Sequence, residues 1–300
     1  MGSSVGHSAS GSVGSSLASS VASGSAGSSV ASGSVGSSLA SSLASSVASG
    51  SVGSSLASSV ASGSVASSLA SSVASGSVGG GIRVWTVSVA SAASAVPHEE
   101  AYGVLDPAER ERFARFRRGG DRMRYLAVHH VYRTVLGHAL GVDPADVGFR
   151  RFCARCGDDG HGKPVPFAPD GTTLSASLSH SAAYALIAVG DSAEIPVGVD
   201  IERVRADMDW SRIPCVQGGR NTHGFEQWTR AEALVKAAGT GLSRTPPRYT
   251  GHVFGTWRAA RVPGSGHEWF VRSVRSPDGY AASVASGRAD VGVTVLSWRP

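Results

Sequence analysis

Charge begins late in this chain, and that fact constrains it most. No Lys, Arg, Asp or Glu precedes Arg83, and the first 82 residues are almost wholly Ser, Ala, Gly, Val and Leu. They repeat as SVxSSLASSVASG, and Val47, Val52, Leu56, Val60, Val65, Leu69, Val73 and Val78 step by four, with a five at each Ser-Gly. A helix needs an average step of about 3.6 to keep its apolar residues on one face, so these positions spiral around any helix. Period-two alternation is absent, which removes a simple strand, and the small side chains offer too little to bury between stacked repeats. Residues 1–80 are therefore expected to be a disordered low-complexity leader, and the chemistry is sought in residues 81–300.

That remainder carries 27 basic and 22 acidic side chains in a mixed pattern, for a net charge of +5. Scattered Arg is a poor nucleic-acid stripe but suits an anionic small ligand or an acidic protein partner. Cys153, Cys156 and Cys215 make no disulfide framework, so a reducing cytoplasm is expected. No apolar run reaches membrane-spanning length, and the start MGSSVGHS lacks a signal peptide's positive region. A monomer with no membrane or nucleic-acid partner is the expectation.

IRVWTVSV at 82–89 reads as a first strand. Asp106–Pro107 caps a charged helix expected to run to Gly119–Gly120, and a second helix is expected from Asp121 to Leu140. CARCGDDGHGKP at 153–164 reads as a loop. A short strand at 175–178, a turn at 179–181, and strands at 184–190 and 197–202 follow. Residues 205–224 read as a loop, and WTRAEALVKAAG at 228–239 as a helix. Strands near 251–259, 267–274 and 280–285, with another at 291–298, complete an α+β chain. Its two halves, 81–190 and 191–300, meet near residue 190. No Gly-rich phosphate loop follows the first strand, which argues against a doubly wound dinucleotide fold.

Asp200 and Glu202 lie two apart on a strand, so both leave on one face. Glu232 and Lys236 lie four apart on a helix and share a side of it. Bringing that helix to that strand gathers three hard oxygen donors, a set suited to Mg²⁺ beside a polyphosphate. The alternative is a solvated strand face and an ordinary helical ion pair. Only two lysines exist, Lys163 and Lys236. Both lie in candidate segments, and Lys can donate a proton where Arg cannot. Lys163, His180, Arg112 and Arg124 are candidate phosphate donors. Cys153-x-x-Cys156, with His161, supplies at most three zinc ligands where a structural site needs four.

Together, VGVDIE at 197–202, WTRAEALVKAAGTGL at 228–242, HGKP at 161–164 and SLSHS at 177–181 resemble the signature blocks of the 4'-phosphopantetheinyl transferases. The resemblance is to the two-domain surfactin-synthetase-activating type, and VWTVSV, RERFARFRR and DRMRYLAVHHVYRTVLG resemble its first half. It implies two similar α/β halves with the active site between them. It further implies transfer of the phosphopantetheine arm of coenzyme A to a serine of an acyl or peptidyl carrier protein, releasing adenosine 3',5'-bisphosphate. Asp200, Glu202 and Glu232 would hold Mg²⁺, Glu232 would also help deprotonate the serine, and Lys236 would act on the departing phosphate. Arg112, Arg124, Lys163 and His180 would bind the nucleotide phosphates.

The chain departs from that pattern in four places. Ala231 stands where Lys is frequent, Ser177 replaces a common Asn, and Glu109 sits where a phosphate-binding Lys can occur. The 205–224 link is short where relatives carry a longer, largely helical segment involved in carrier docking. A noncatalytic CoA- or carrier-binding relative is the alternative, and a metal-dependent hydrolase a third.

Overall fold

The computed structural model describes residues 80–153, 156–159, 162–216, 221–241 and 245–300. The expected leader lies outside the described residues, except Gly80, and so does His161.

Strand β1 (Gly81–Ser88) is followed by two short helices, α1 (Val89–Ala95) and α2 (His98–Gly103), then α3 (Pro107–Arg115) and the long α4 (Gly119–Leu140). Asp106 caps α3 as expected: its side chain accepts from Glu109 N at 2.8 Å, while Glu109 Oε2 accepts from Asp106 N at 3.1 Å. This reciprocal pair satisfies two backbone donors that a helix start leaves open. The helix ends four residues earlier than expected, because Phe116 turns extended and its carbonyl accepts from Arg122.

A hairpin follows, β2 (Gly148–Phe152) with β3 (Lys163–Phe167). Pro164 and Pro166 hid β3 from sequence reading, since proline is depleted in strands; a two-stranded ladder tolerates both because each strand is an edge. The next strands are β4 (Ala176–Ser181), β5 (Tyr184–Gly190) and β6 (Val197–Arg203). The turn expected at 179–181 sits instead at Ala182–Ala183, a two-residue hairpin loop with Ala182 at φ 49°. Helix α5 (Asn221–Ala238) starts earlier than expected, inside the segment read as a loop. Trp210, in a 3-10 turn, packs edge-on against Phe225 of α5, with ring centroids 4.6 Å apart. Five strands complete the chain: β7 (Arg248–Phe254), β8 (Trp257–Arg261), β9 (Glu268–Ser273), β10 (Tyr280–Ser286) and β11 (Gly292–Ser297). The single strand expected near 251–259 is thus parts of two, folded at Gly255, whose φ of 59° suits a residue without a Cβ.

One sheet has the order β11-β1-β5-β4 and the other β6-β10-β9-β8-β7. Alternation explains how they stack. On β1, Trp85 and Val87 join Ala127, Val128, Val131 and Val135 of α4, while Ile82 and Val84 face the other way. That second face meets Val197, Val199 and Ile201 of β6 and Ala282 and Val284 of β10. On the far side of the second sheet, Leu234 and Ala237 of α5 pack on Ala260, Trp269 and Val271. The layers run helix, sheet, sheet, helix. β11 pairs in parallel with β1, so the segment 191–300 does not map wholly onto the second sheet.

Candidate functional site

The two sheets meet along β4 and β6, and side chains make the join. Ser175, Ser177, Ser179 and Ser181 each turn an Oγ toward β6 and accept from the amides of Val197, Val199, Ile201 and Arg203 at 3.0–3.4 Å. Period two on one strand thus meets period two on the other, and buried amides that would otherwise lack partners are satisfied. Ser177 performs this task at the position where the resemblance leads one to expect asparagine.

The same serines orient the acids. Ser179 Oγ donates to Asp200 Oδ1 and Ser181 Oγ to Glu202 Oε2, both at 2.7 Å. Because Val197, Val199 and Ile201 enter the core between the sheets, Gly198, Asp200 and Glu202 face α5. Gly198 has no side chain for a reason: a Cβ there would lie 2.2 Å from Ala233 O and 2.3 Å from Ala237 N. The helix backbone therefore lies directly on the strand, which brings Lys236 within reach of Asp200. Lys236 Nζ donates to Asp200 Oδ1 at 2.7 Å, while Asp200 Oδ2 is buried without a hydrogen-bond partner.

Ser179, His180, Asp200, Glu202, Glu232 and Lys236 line a cavity of about 310 Å³ with Trp228 and Leu178. The electrostatics are strained toward negative charge. Burial, then the Asp200 charge, raises the Glu232 carboxyl to about 7, with Lys236 opposing. Burial also lifts Asp200 despite Lys236 and Ser179, and lifts Glu202 despite Ser181. Among the described residues, no group of three or more His, Cys, Asp or Glu is placed so that, as it stands, it could hold a metal ion. The donor chemistry nevertheless fits a hard cation. Three carboxylates face one polar cavity, all pushed up first by burial, and Asp200 has an oxygen with no partner.

A second cavity, of about 620 Å³, shares Leu178, Glu232 and Lys236 with the first and extends past Lys163 and Pro164 to His129 and Tyr132. Of the candidate phosphate donors, Lys163 lines the larger cavity and His180 the smaller, while Arg112 and Arg124 line neither. Lys163 sinks its ammonium between the halves, donating to Val197 O at 2.8 Å and Ala237 O at 3.3 Å, and desolvation lowers its pKa to about 8. Arg124 holds the β4–β5 turn through Ala182 O and pairs with Asp121. Arg112 is exposed on α3. His180 stands at the rim; partial desolvation, then the charges of His129, Arg124, Lys236 and Arg112, push its imidazole below the ordinary value. Of the Cys153-x-x-Cys156 pair, Cys153 is buried on the larger cavity and Cys156 is exposed.

Sequence reasoning missed a buried network on α3 and α4. Arg133, fully buried, donates to Glu109, Asp106 and the carbonyls of Pro144 and Val147. Glu109 Oε1 takes His129 Nδ1 at 2.7 Å. Glu109 thus serves as helix cap and buried counter-ion where a lysine can occur in relatives. The capping box was the available clue, since it turns the Glu109 side chain back toward the helix start.

No family model matches the chain. It is homologous to several phosphopantetheinyl transferases. It is 25% identical over 229 residues to the 4'-phosphopantetheinyl transferase of Bacillus subtilis, covering 70% of this chain and 94% of that protein. It is 28% identical over 190 residues to the phosphopantetheinyl transferase of a Thraustochytrium species, covering 54% of this chain and 62% of the other. A Nostoc 4'-phosphopantetheinyl transferase is 28% identical over 182 residues, which is 70% of its length.

Proposed function

We propose that this chain moves the 4'-phosphopantetheine group of coenzyme A onto a serine of an acyl or peptidyl carrier protein, in the manner of the surfactin-synthetase-activating type. The observation that carries the reading is the meeting of Asp200, Glu202, Glu232 and Lys236 at the seam between two sheets, in a chain homologous to such transferases. Asp200, Glu202 and Glu232 would hold Mg²⁺, which when bound offsets the charge of the pyrophosphate.

The residues divide the remaining tasks. Glu232, at the seam beside Lys236, would also take the proton of the attacking carrier serine. The serine oxygen forms a bond to the pantetheine-bearing phosphorus, and the bond from that phosphorus to the bridging oxygen breaks. Lys236 stabilises the phosphate that leaves with adenosine 3',5'-bisphosphate and can return a proton to it. The serine ladder fixes Asp200 and Glu202, so little reorganisation is needed when charge develops. Arg112 and His180 would bind the nucleotide phosphates directly, while Lys163 and Arg124, engaged by carbonyls of Val197, Ala237 and Ala182, would shape the space around them. An acidic carrier protein complements the positive balance of the chain, which this reading treats as a cytoplasmic monomer. Among the described residues no helix is long and apolar enough to cross a membrane.

The test is intact mass spectrometry of several apo carrier proteins incubated with the full chain, coenzyme A and Mg²⁺. The reading expects a mass gain of one phosphopantetheine that requires all three components. One observation favours a second reading: Lys236 already occupies Asp200 Oδ1, as it would in a relative that binds coenzyme A without transferring. Coenzyme A binding with unmodified carriers throughout would select that reading.

A further inference from the structure

The β4–β5 turn adjoins the smaller cavity through His180, and its backbone has a conformation that alanine resists. Ala182 has a φ of 49°, the only positive value at a residue other than glycine among the described residues. Two-residue hairpin loops that open on a positive φ favour glycine or asparagine there, because a Cβ crowds the following carbonyl in the left-handed region. Contacts from outside the hairpin must hold this one. We infer that Tyr280 is a positioning residue that clamps the Ala182–Ala183 peptide and thereby sets Ser181 and the Glu202 carboxylate. The consequence for the metal rests on the proposed function, in which Glu202 takes Mg²⁺.

The clamp closes on both ends of one peptide group. Arg124 Nε donates to its carbonyl, Ala182 O, at 3.0 Å, and its amide, Ala183 N, donates to Tyr280 Oη at 3.1 Å. The central peptide of a β-turn is the unit that flips when one turn type converts to another, so holding both its ends holds the type. Ala183 O accepts from Val89 N at 2.9 Å, which ties the next peptide to the start of α1. Tyr280 is itself fixed. It pairs with Arg203 of β6, its ring meets Tyr184 edge-on with centroids 5.1 Å apart, and its carbonyl accepts from Ser276 Oγ at 2.8 Å. A residue of the second sheet thus dictates a turn of the first.

The effect is felt one residue back. Ser181 Oγ accepts from Arg203 N at 3.2 Å and donates to Glu202 Oε2 at 2.7 Å. It is the last rung of the serine ladder and differs from the others in its surroundings. Ser175, Ser177 and Ser179 are buried, so neighbouring chain holds them on all sides, whereas Ser181 is half-buried and runs straight into the turn. A flip of the Ala182–Ala183 peptide would therefore move Ser181 Oγ before it moved any other rung. Glu202 would lose the donor that orients it, while Asp200 would keep Ser179 and Lys236. The Tyr280 hydroxyl is thus placed to govern one carboxylate of the seam without touching it.

The experiment compares wild type, Tyr280→Phe, Ala182→Gly and the double variant, each as the full chain. Tyr280→Phe keeps the ring against Tyr184 and removes only the hydroxyl. Mg²⁺ alone is titrated by calorimetry, carrier modification is measured against Mg²⁺ concentration, and hydrogen exchange is followed at the Ala183 amide. Tyr280→Phe should weaken Mg²⁺ about fivefold, the size of one neutral hydrogen bond. The Mg²⁺ needed for half-maximal turnover should rise by the same factor, turnover at saturating Mg²⁺ should stay within about twofold, and Ala183 should exchange faster. Ala182→Gly alone should leave Mg²⁺ binding unchanged. In the double variant it should restore most of the lost affinity, since glycine keeps the left-handed turn without a clamp. A tyrosine that merely packs would gain nothing from a change in the turn. Unchanged Mg²⁺ affinity in Tyr280→Phe, or a loss that Ala182→Gly does not repair, overturns the inference and leaves the proposed function standing. Should Tyr280→Phe fail to fold, exchange in wild type decides: a protected Ala183 amide upholds the clamp and an unprotected one overturns it. Wild type that binds no Mg²⁺ and modifies no carrier sinks both.

Discussion

Arg133 lies buried beneath α4 and Asp200 lies buried between β6 and α5, and the two are provided for differently. Around Arg133, the guanidinium meets two carboxylates and two carbonyls, and Glu109 is held below its ordinary range. Around Asp200, three carboxyls are held above theirs, one lysine faces them, and Oδ2 has no partner. Buried charge that is fully answered is architecture; it fixes α3 to α4 and orients a histidine. Buried charge left unbalanced stores free energy that a cation can release. The contrast therefore separates a satisfied network from an unsatisfied one, and the proposed function uses the second.

The sharpest way to break this comparison is to remove the guanidinium. Arg133→Met should cost about 3–5 kcal/mol of stability, because Glu109 would stay buried, and Asp106 half-buried, without their partner. Urea denaturation measures this, and a loss under about 1 kcal/mol would show the network to be incidental. Asp200→Asn should do the reverse. Stability should hold or rise as the repulsion with Glu232 falls, while carrier modification drops about a hundredfold. The same variant should lose any rise in melting temperature that Mg²⁺ gives wild type. Unchanged turnover would place Asp200 outside the chemistry.

A smaller effect tests the seam that joins the regions. Ser177→Ala leaves Val199 N without its acceptor and should cost about 1–3 kcal/mol, and Ser177→Asn should recover most of it. Equal stability of the three would mean that the ladder is not load-sharing. The smallest effect concerns Lys163, which stands between the regions. Its folded pKa of about 8 lies below the ordinary 10.5, so its contribution is full above pH 10.5 and is lost as pH falls through about 8. Lys163→Met should flatten the stability profile across that window, measured by denaturation at a series of pH values.

Much of the site was legible as pieces. Alternation in VGVDIE put Asp200 and Glu202 on one face, and four-residue spacing did the same for Glu232 and Lys236. Their meeting was legible only through resemblance, since it depends on Gly198 admitting a helix backbone to the strand. Four serines reaching across to another sheet leave no local pattern beyond their alternation. The Glu109–His129–Arg133 network was hidden because its partners sit on two helices, and Glu109 looks like one charge among many in AERERFARFRR. Lys163 read as a phosphate donor because nothing local says that its ammonium will be enclosed by two carbonyls. The β2–β3 hairpin was lost to its prolines.

The parallel pairing of β11 with β1 has a consequence for how the molecule comes into being. Gly81 is matched with Gly292, and Trp298 N donates to Thr86 O at 2.9 Å. The partners are roughly 200 residues apart, among the longest-range contacts a chain of this size can make, and such contacts slow folding. During synthesis β1 emerges long before β11 and must wait, one edge unsatisfied, until residues 292–297 have left the ribosome. The β1, β5 and β4 part of that sheet can form early, but the sheet is completed only when β11 arrives. Chains that stall or are cut before residue 292 carry an open strand edge rather than a nearly complete protein, and they are the species expected to aggregate.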